Sequence, residues 1–257
     1  MRLGCAAYSY RDLFRAGELT LFQFVDACAA MGLDGVELTA YYFADTSRPA
    51  LNELKRHCHR RGMHILGTAV GSNFTHPDDD ALRSQIEMTR AWIDHSVALG
   101  APCIRVFAGN VPEGWAEDAA VNRCVACLRE IVPYAADRGV LVALENHGGI
   151  TTTAEQVLRL VRMVDHPWLG VNLDFGNFRV DPYREIEQVA PWAVTTHAKV
   201  SSRFGEQRAE VDYVRVVRIM RAAGYEGYLS VEFEEREDPR VGVPRFVARL
   251  REALASA

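Results

Sequence analysis

The feature that most constrains the fold is an eightfold alternation of short apolar segments with longer amphipathic helical patterns along the 257 residues. The strand candidates are residues 3–9, 35–40, 64–70, 103–109, 140–146, 169–175, 193–200 and 228–234. No long linker, low-complexity tract or break in composition interrupts this series. Eight such units favour an α/β fold made of one closed parallel (β/α)₈ TIM barrel, with residues 1–257 forming a single domain.

The competing architecture is an open, doubly wound parallel sheet. Such a sheet would be expected to carry a glycine-rich phosphate loop after an early strand, and no G-x-G-x-x-G pattern occurs in the chain. The length is also close to the roughly 250 residues of a typical α/β barrel, and 49% hydrophobic residues can fill its core. The closed barrel is therefore the preferred prediction.

Charge and composition argue against several classes of partner. A formal net charge of -5 disfavours a nucleic-acid partner, because phosphate binding usually relies on a basic surface. No run of 18 apolar residues predicts a membrane span, and the N-terminal segment turns polar too soon for a signal peptide. The six cysteines lie mostly in apolar segments, which is typical of reduced, buried thiols. We therefore expect a cytoplasmic protein that binds neither nucleic acid nor membrane.

Four polar residues stand near the ends of the last four predicted strands. They are Glu145 in VALENH, Asp174 in VNLDFGN, His197 in VTTHAKV and Glu232 in YLSVEFEE. The numbering separates them by 29, 23 and 35 positions (145 to 174, 174 to 197, 197 to 232), roughly one strand–helix unit each. Functional groups of α/β barrels cluster at the C-terminal ends of strands, so we expect the four side chains to converge.

Three carboxylates and one imidazole in one volume require a cation to neutralise them. Any one of these residues alone could be a surface carboxylate, a capping aspartate or a hydrogen-bonded core histidine. Together, Glu145, Asp174, His197 and Glu232 predict a divalent metal site. Oxygen and nitrogen ligands suit Mn²⁺, Mg²⁺, Co²⁺ or Zn²⁺ and disfavour metals that prefer thiolates. Of these ions Mn²⁺ is the preferred prediction.

These residues lie in motifs that resemble the xylose-isomerase-like barrel superfamily, whose members are often described as sugar phosphate isomerases or epimerases. The resemblance extends over essentially the whole chain and rests on five motifs: G-V-E-L at 35–38, L-E-N at 144–146, L-D-F-G-N at 173–177, H-A-K-V at 197–200 and V-E-F at 231–233. The order Glu, Asp, His, Glu on strands five to eight is the distinctive element. The superfamily includes several reactions, so the resemblance does not select one of them.

The resemblance implies a reaction that passes through an enediolate. In the ketose 3-epimerases of this superfamily, two metal-ligating glutamates exchange a proton with the substrate, one on each side. If these roles are carried over to this sequence, the resemblance implies that Glu145 and Glu232 form the acid/base pair and that Asp174 and His197 complete the ligand set. This chemistry is physically coherent, because a carbon acid beside a carbonyl loses its proton only if the resulting charge is stabilised.

Two further residues match substrate contacts of the family. Arg203, six residues after His197, matches an arginine that contacts the substrate; the alternative is a solvated loop arginine beside Arg208. Glu37 resembles a substrate-contacting glutamate, and it could equally be a buried carboxylate paired with a cation such as Arg105.

Four more candidates for substrate binding follow from their positions. Asn177 stands where the family often has a histidine. This difference weakens the match to ketose epimerases, and it weakens the match to a nuclease branch of the superfamily still more. His147 shares the strand parity of Glu145 and could act as a base in a lyase, or simply bond the backbone of a loop. Lys199 faces the same way as His197 and could contact an anionic group or be structural, and Tyr8 ends strand one at the barrel mouth.

The sequence therefore predicts a divalent-metal-dependent isomerase or epimerase of carbohydrate metabolism, acting on a small keto-sugar or polyol-derived ketone. One alternative is a metal-dependent lyase or dehydratase acting on a keto-sugar or cyclic keto-acid. The other is a sugar-binding barrel without turnover. The expected partner is a small carbohydrate-like molecule, and assembly into a homo-oligomer stays open.

Overall fold

A computed structural model describes residues 1–257, except for the side chain of Phe204. Eight strands close into a barrel in the order β1-β10-β7-β6-β5-β4-β3-β2, and all neighbours within it run parallel. These strands are β1 Arg2–Ala6, β2 Gly35–Thr39, β3 His64–Ala69, β4 Cys103–Val106, β5 Leu141–Glu145, β6 Leu169–Asp174, β7 Ala193–Ala198 and β10 Tyr228–Val231. The prediction of a single TIM barrel is therefore confirmed.

Nine α-helices follow the strands in the part of the chain that the structure describes. They are α1 Arg11–Arg15, α2 Leu21–Ala30, α3 Arg48–Arg60, α4 Asp79–Leu99, α5 Glu117–Ala136, α6 Ala154–Val164, α7 Pro182–Val189, α8 Tyr213–Ala222 and α9 Pro239–Ser256. Local sequence explains where several of them begin. Thr20 and Thr153 each form a capping box with a glutamine three residues later, which satisfies otherwise unpaired backbone donors.

The core lies on both faces of the barrel strands, as expected for a parallel sheet that is covered by helices. Strands β2 and β6 are buried along their whole length. Their register sets the level of the strand ends: Asp174 on β6 lies beside His197 on β7, and Glu145 on β5 lies beside Asn172. Backbone pairing therefore brings the polar strand ends to one end of the barrel.

One element after the seventh barrel strand differs from the sequence prediction. Strand seven ends at Ala198 rather than at residue 200, and an antiparallel hairpin follows, made of β8 Ser201–Phe204 and β9 Gln207–Glu210. Gly205 has a φ of 64° in the turn, a conformation that glycine adopts without strain. All of β9 is exposed, so no apolar alternation marked the hairpin in the sequence.

The eighth barrel strand is shorter than predicted, ending at Val231 instead of residue 234. The backbone N–H of Glu232 nevertheless donates to the carbonyl of Ala198 at 2.9 Å, which continues the parallel pairing by one residue. No helix in the described part of the chain is long and apolar enough to cross a lipid bilayer. All six cysteines are buried, and none of them forms a disulfide bond.

Candidate metal centre

The structure brings together the four residues predicted to bind a metal. Glu145 and Asp174 end β5 and β6, His197 lies on β7, and Glu232 directly follows β10. All four are buried, and one ligand atom from each lies within 4.8 Å of the other three. Two ligands of one ion cannot lie farther apart than twice the bond length, about 4–5 Å for bonds of about 2.0–2.4 Å. The spread of the four atoms therefore suits a single cation.

His197 presents its two ring nitrogens to different carboxylates. The Nδ1 atom lies 3.4 Å from Glu145 Oε2, 3.3 Å from Glu232 Oε1 and 4.0 Å from Asp174 Oδ2. On the other side, Nε2 lies 3.0 Å from Oε2 of the buried Glu37. A carboxylate on the second nitrogen of a histidine fixes its orientation and tautomer, so Nδ1 can turn its lone pair to a cation.

Glu37 therefore pairs with an imidazole rather than with Arg105, the partner that the sequence offered as an alternative. Only one carboxylate oxygen of Glu37 is engaged in this way. Its Oε1 atom is buried and has no hydrogen-bond partner among the described residues. That free acceptor leaves the predicted contact with a substrate hydroxyl open.

Two asparagines that sequence reasoning did not select hold the residues of the cluster in place. Asn172 donates from Nδ2 to Glu145 Oε2 at 2.9 Å, and the same nitrogen lies 3.1 Å from His197 Nδ1. Asn146 donates to the backbone carbonyl of Asp174 and accepts from its backbone N–H, at 2.9 and 2.8 Å. Strand parity could have identified Asn172, because it stands two residues before Asp174 and so points into the barrel.

Two buried cations adjoin the cluster. Arg105 on β4 places Nε 3.2 Å from Glu145 Oε2 and donates from Nη1 to the carbonyl of Val70 at 3.0 Å. Lys199 places Nζ 3.2 Å from Asp174 Oδ2 and 3.3 Å from Glu232 Oε2. The prediction that Lys199 faces the same way as His197 fits this position.

In the protonation state that metal ligation requires, with the carboxylates ionised and His197 neutral, the buried charges do not balance without a further cation. Four carboxylates (Glu37, Glu145, Asp174 and Glu232) carry −4, while Arg105 and Lys199 carry +2, which leaves −2 with His197 neutral. Glu234, which also contacts Lys199 at 2.8 Å, is partly exposed, so water solvates its charge and it does not belong to the buried set. Buried charge is costly unless it is paired. One divalent cation would neutralise the remainder, and Asp174 Oδ2, buried with no hydrogen-bond partner, is an acceptor for it.

The electrostatics of the cluster differ from residue to residue. Burial favours the neutral form of Glu145, but Arg105 and His197 together outweigh it and hold the pKa of Glu145 well below its usual range. Burial raises the pKa of Asp174 to about 7; Lys199 opposes this shift, while the carboxylates of Glu232 and Glu145 add to it. The pKa of His197 lies well above its usual value despite burial, because Glu232 and Glu37 stabilise the imidazolium.

We expect metal binding to displace the proton on Asp174, since a carboxylate ligand must be ionised. With a pKa of about 7, Asp174 in the metal-free protein is mostly protonated at pH 6 and mostly ionised at pH 8. Affinity for Mn²⁺ should therefore rise across this interval, and the number of protons released should fall by about one. Calorimetry in two buffers of different ionisation enthalpy measures this number. In Asp174→Asn the affinity should be lower, and the difference between pH 6 and pH 8 should disappear. Equal proton release at both pH values in the wild-type protein would contradict the role of Asp174 as a ligand that loses its proton when the metal binds.

The remaining predicted substrate contacts lie around the rim of the cluster. Asn177 donates to Glu145 Oε1 at 3.4 Å and accepts from Lys199 Nζ at 3.1 Å, so it adjoins the cluster directly. His147 is exposed, and its ring lies 4.0 Å from the ring of Phe107, centroid to centroid. Tyr8 is half-buried in the 3₁₀ turn that follows β1, with the Arg11 guanidinium 5.3 Å from its ring centroid.

Arg203 lies farther out than these rim residues. It is exposed on β8, opposite Arg208 in the hairpin register, and makes no ion pair with the cluster in the part of the chain that the structure describes. The hairpin itself is attached to the segment after β10, because Arg208 and Ser201 both bond Glu235. The contact predicted for Arg203 with the substrate stays a prediction.

Sequence comparison finds relatives with and without a described activity. The chain is 24% identical over 169 residues to an uncharacterised protein of Methanocaldococcus jannaschii, covering 60% of this chain and 58% of that protein. It is 28% identical over 160 residues to a 3-dehydroshikimate dehydratase of Pseudomonas putida, covering 60% of this chain and 24% of the dehydratase. The chain therefore spans only about a quarter to three fifths of the length of these curated relatives.

Solved structures resemble the whole barrel. The D-psicose 3-epimerase of Clostridium cellulolyticum H10 superposes with a TM-score of 0.83 at 18% identity, covering 99% of both chains. A probable 3-DHS dehydratase of Bacillus anthracis gives 0.76 at 20% identity, also covering 99% of both chains. The IolI protein, crystallised with a zinc atom, gives 0.81 at 18% identity, covering 98% of this chain and 96% of that one. At these identities the likeness establishes the fold.

The family assignment rests on a different comparison. The model of the xylose isomerase-like TIM barrel matches residues 25–253, which is most of the chain and includes all four residues of the cluster. The matched residues include seven of the eight barrel strands, from β2 to β10. The chain belongs to the xylose isomerase-like TIM barrel family.

Proposed function

We propose that the protein is a divalent-metal-dependent isomerase or epimerase that acts on a small keto-sugar or polyol-derived ketone through an enediolate. The observation that carries this proposal is the convergence of four buried ligand atoms, which leave an excess of two negative charges once the carboxylates are ionised and His197 is neutral. A core of this kind is stable when a divalent cation neutralises it, and Mn²⁺ is the first candidate. The bound ion would supply Lewis-acid stabilisation of the charge that develops on the substrate's carbonyl oxygen.

Glu145 and Glu232 are the proposed acid/base pair, and barrel topology supports this role. The strand order β10-β7-β6-β5 places the two glutamates on opposite flanks of Asp174 and His197. A substrate lying over the cluster would therefore meet one carboxylate from each side. One glutamate can remove the proton beside the carbonyl, and the other can return a proton to the opposite face of the enediolate.

The surrounding residues position these carboxylates and the substrate. Arg105 and Lys199 restrain the glutamates through the ion pairs described above. We propose that Asn177 and the free oxygen of Glu37 bind substrate hydroxyl groups, since both adjoin the cluster. Tyr8 and Arg203 would act farther out, at the rim.

A dehydratase acting on a keto-sugar or cyclic keto-acid is the second candidate, and His147 favours it. This imidazole is exposed at the rim, rests on Phe107, and is close enough to Glu145 to contribute to lowering the pKa of that carboxyl group, behind the larger effects of burial, Arg105 and His197. An elimination needs a group that can take a proton or give one to the departing oxygen, and imidazole suits this near neutral pH. The similarity to the dehydratase of Pseudomonas putida supports the same alternative.

Isotope exchange tests whether the protein turns over a substrate. Incubated in D₂O with Mn²⁺ and a panel of ketoses, the protein should place deuterium at the carbon next to the carbonyl of its substrate, as measured by mass spectrometry and NMR. Omitting the metal should abolish the exchange. A dehydratase would instead yield an unsaturated product with net loss of water. If the metal-loaded protein neither exchanges nor eliminates with any ketose or keto-acid, the sugar-binding barrel without turnover takes the place of the enzyme.

A further inference from the structure

A cavity of about 910 Å³ lies outside the four-residue cluster. It is bounded by the segment from α1 to the start of α2 and by the segment from the end of β2 to α3. Its apolar lining is formed mainly by Phe14, Leu19, Phe22, Tyr41, Tyr42 and Phe43. Ligand pockets typically measure about 300–1,000 Å³ and are lined by apolar and aromatic side chains, so both size and lining suit an organic ligand.

Aromatic rings form one wall of this cavity. The rings of Phe14 and Tyr42 stack with their centroids 4.3 Å apart and an interplanar angle of 12°. Tyr41 meets Tyr42 edge-on at 6.1 Å, and 54% of the Tyr41 residue surface is exposed. Phe22 is 39% exposed. A flat apolar group could stack against such a wall and cover the exposed rings.

The wall also contains an unpaired polar atom. The hydroxyl oxygen of Tyr42 is buried and has no hydrogen-bond partner among the described residues. Burial raises the pKa of Tyr42, with a contribution from Tyr8, the residue predicted to line the barrel mouth. A buried hydroxyl without a partner is uncommon, because each such group loses its hydrogen bonds to water. Because this oxygen has no contact with solvent, a ligand in the open cavity would meet the aromatic rings and not the Tyr42 hydroxyl.

The cavity lies on the same side of the barrel as the cluster. It is formed by the connections that follow β1 and β2, and the cluster stands where β5 and β6 end. Tyr41, which lines the cavity, also reaches the connection that follows β3. Its hydroxyl packs against Gly71, just after β3, so closely that a Cβ atom added there would lie 2.3 Å from it. Arg105, the ion-pair partner of Glu145, lies on the next strand, β4, one residue before its end.

We propose that this cavity is a subsite for a planar, aromatic group that is covalently attached to the substrate. The keto-sugar or keto-acid ring would lie over the cluster, and its aromatic substituent would stack against the rings of the cavity. The substrate class is then an aryl glycoside or similar aryl conjugate rather than a free monosaccharide. This inference rests on the proposed function for the position of the sugar ring.

Binding of two matched probes tests the subsite. Phenyl β-D-glucopyranoside and methyl β-D-glucopyranoside differ only in the group on the anomeric oxygen. Measured by calorimetry on the metal-loaded protein, the phenyl probe should bind at least about tenfold more tightly, because only its ring can be buried in the cavity. The preference should disappear in Phe14→Ala and in Phe22→Ser, and it should be kept in Tyr42→Phe, which removes only the hydroxyl and leaves the ring.

Trp192→Ala is the matched control, because Trp192 is equally exposed, at 39%, but precedes β7 at the other end of the barrel. This variant should keep the preference for the phenyl probe. Equal binding of the two probes would overturn the proposal, as would a preference that survives in both Phe14→Ala and Phe22→Ser. A wild-type dimer that Phe22→Ser converts to a monomer, as measured by light scattering, would instead assign the cavity to a second copy of the chain.

The metal content of each sample separates this inference from the proposed function. Metal uptake depends on the cluster and not on the cavity, so the cavity variants should bind Mn²⁺ like the wild-type protein. Normal Mn²⁺ binding without a preference for the phenyl probe would refute the subsite alone. A preference for the phenyl probe in a protein that takes up no metal would refute the proposed function alone.

Discussion

Glu232→Gln should lower the rate of deuterium exchange into a ketose by at least about a hundredfold, while His147→Ala should leave that rate nearly unchanged. The reason is that Glu232 lies in the cluster, 3.3 Å from His197 Nδ1, whereas His147 is exposed on the rim. General acid–base catalysis typically contributes about 10²–10⁴-fold, so loss of one partner of the pair should be readily measured. The amide of glutamine keeps the shape of the side chain but cannot accept the proton.

Glu232 is also a proposed metal ligand, so the comparison needs a saturating concentration of Mn²⁺ and a direct measurement of bound metal. Exchange that survives in His147→Ala but is lost in metal-loaded Glu232→Gln supports the isomerase. If elimination is the observed reaction and His147→Ala abolishes it while exchange at the same carbon persists, the dehydratase takes precedence. Exchange at the wild-type rate in metal-loaded Glu232→Gln would contradict the proposed acid/base pair.

Arg105→Met should lower the free energy of unfolding of the metal-free protein by about 3–5 kcal/mol, a large share of the stability of a domain. Arg105 is 3% exposed and forms the ion pair with Glu145 inside the barrel. Methionine of similar length would fill the space but would leave the Glu145 carboxylate buried beside Asp174 and Glu232 without its cation. Urea denaturation, monitored by circular dichroism, measures the change.

Two further variants distinguish this effect from the loss of any ion pair. Arg159→Ala breaks the partly exposed pair with Asp118 on the outside of the barrel, where the side chains are 39% and 75% exposed. It should cost no more than about 1 kcal/mol. The double variant Arg105→Met/Glu145→Gln should recover much of the lost stability, because the unpaired charge is removed. If Arg105→Met unfolds no more easily than Arg159→Ala, the charge balance inferred for the cluster is wrong.

Strand periodicity and spacing were sufficient to predict the barrel and the convergence of Glu145, Asp174, His197 and Glu232. Each of these residues follows or lies within an apolar run, and parallel strands of a barrel all present their C-terminal ends to the same side. Because one βα unit separates each residue from the next, the linear order predicts four neighbouring strands. The structure agrees, with β5, β6, β7 and β10 adjacent in the barrel.

The partners of these residues could not be predicted in the same way. Arg105 on β4 and Glu37 on β2 were both candidates for one ion pair, yet each contacts a different residue of the cluster, Glu145 and His197 respectively. Which inward-facing side chains meet depends on their lengths and on the shear between strands across the barrel interior. Register shifts after Val36 and after Val171 add to this uncertainty, because a slip of one residue changes the level of every side chain beyond it.

The sequence by itself therefore determined the fold and the convergence of the four cluster residues, since both follow from local patterns repeated at the spacing of a strand–helix unit. Only the tertiary structure decided the charge balance of the cluster, the hairpin of residues 201–210 and the aromatic cavity beside the mouth. These features depend on contacts between segments far apart in the chain, such as Phe14 with Tyr42 or Glu37 with His197. Such contacts leave no periodic trace in the sequence, because they are set by how whole elements pack.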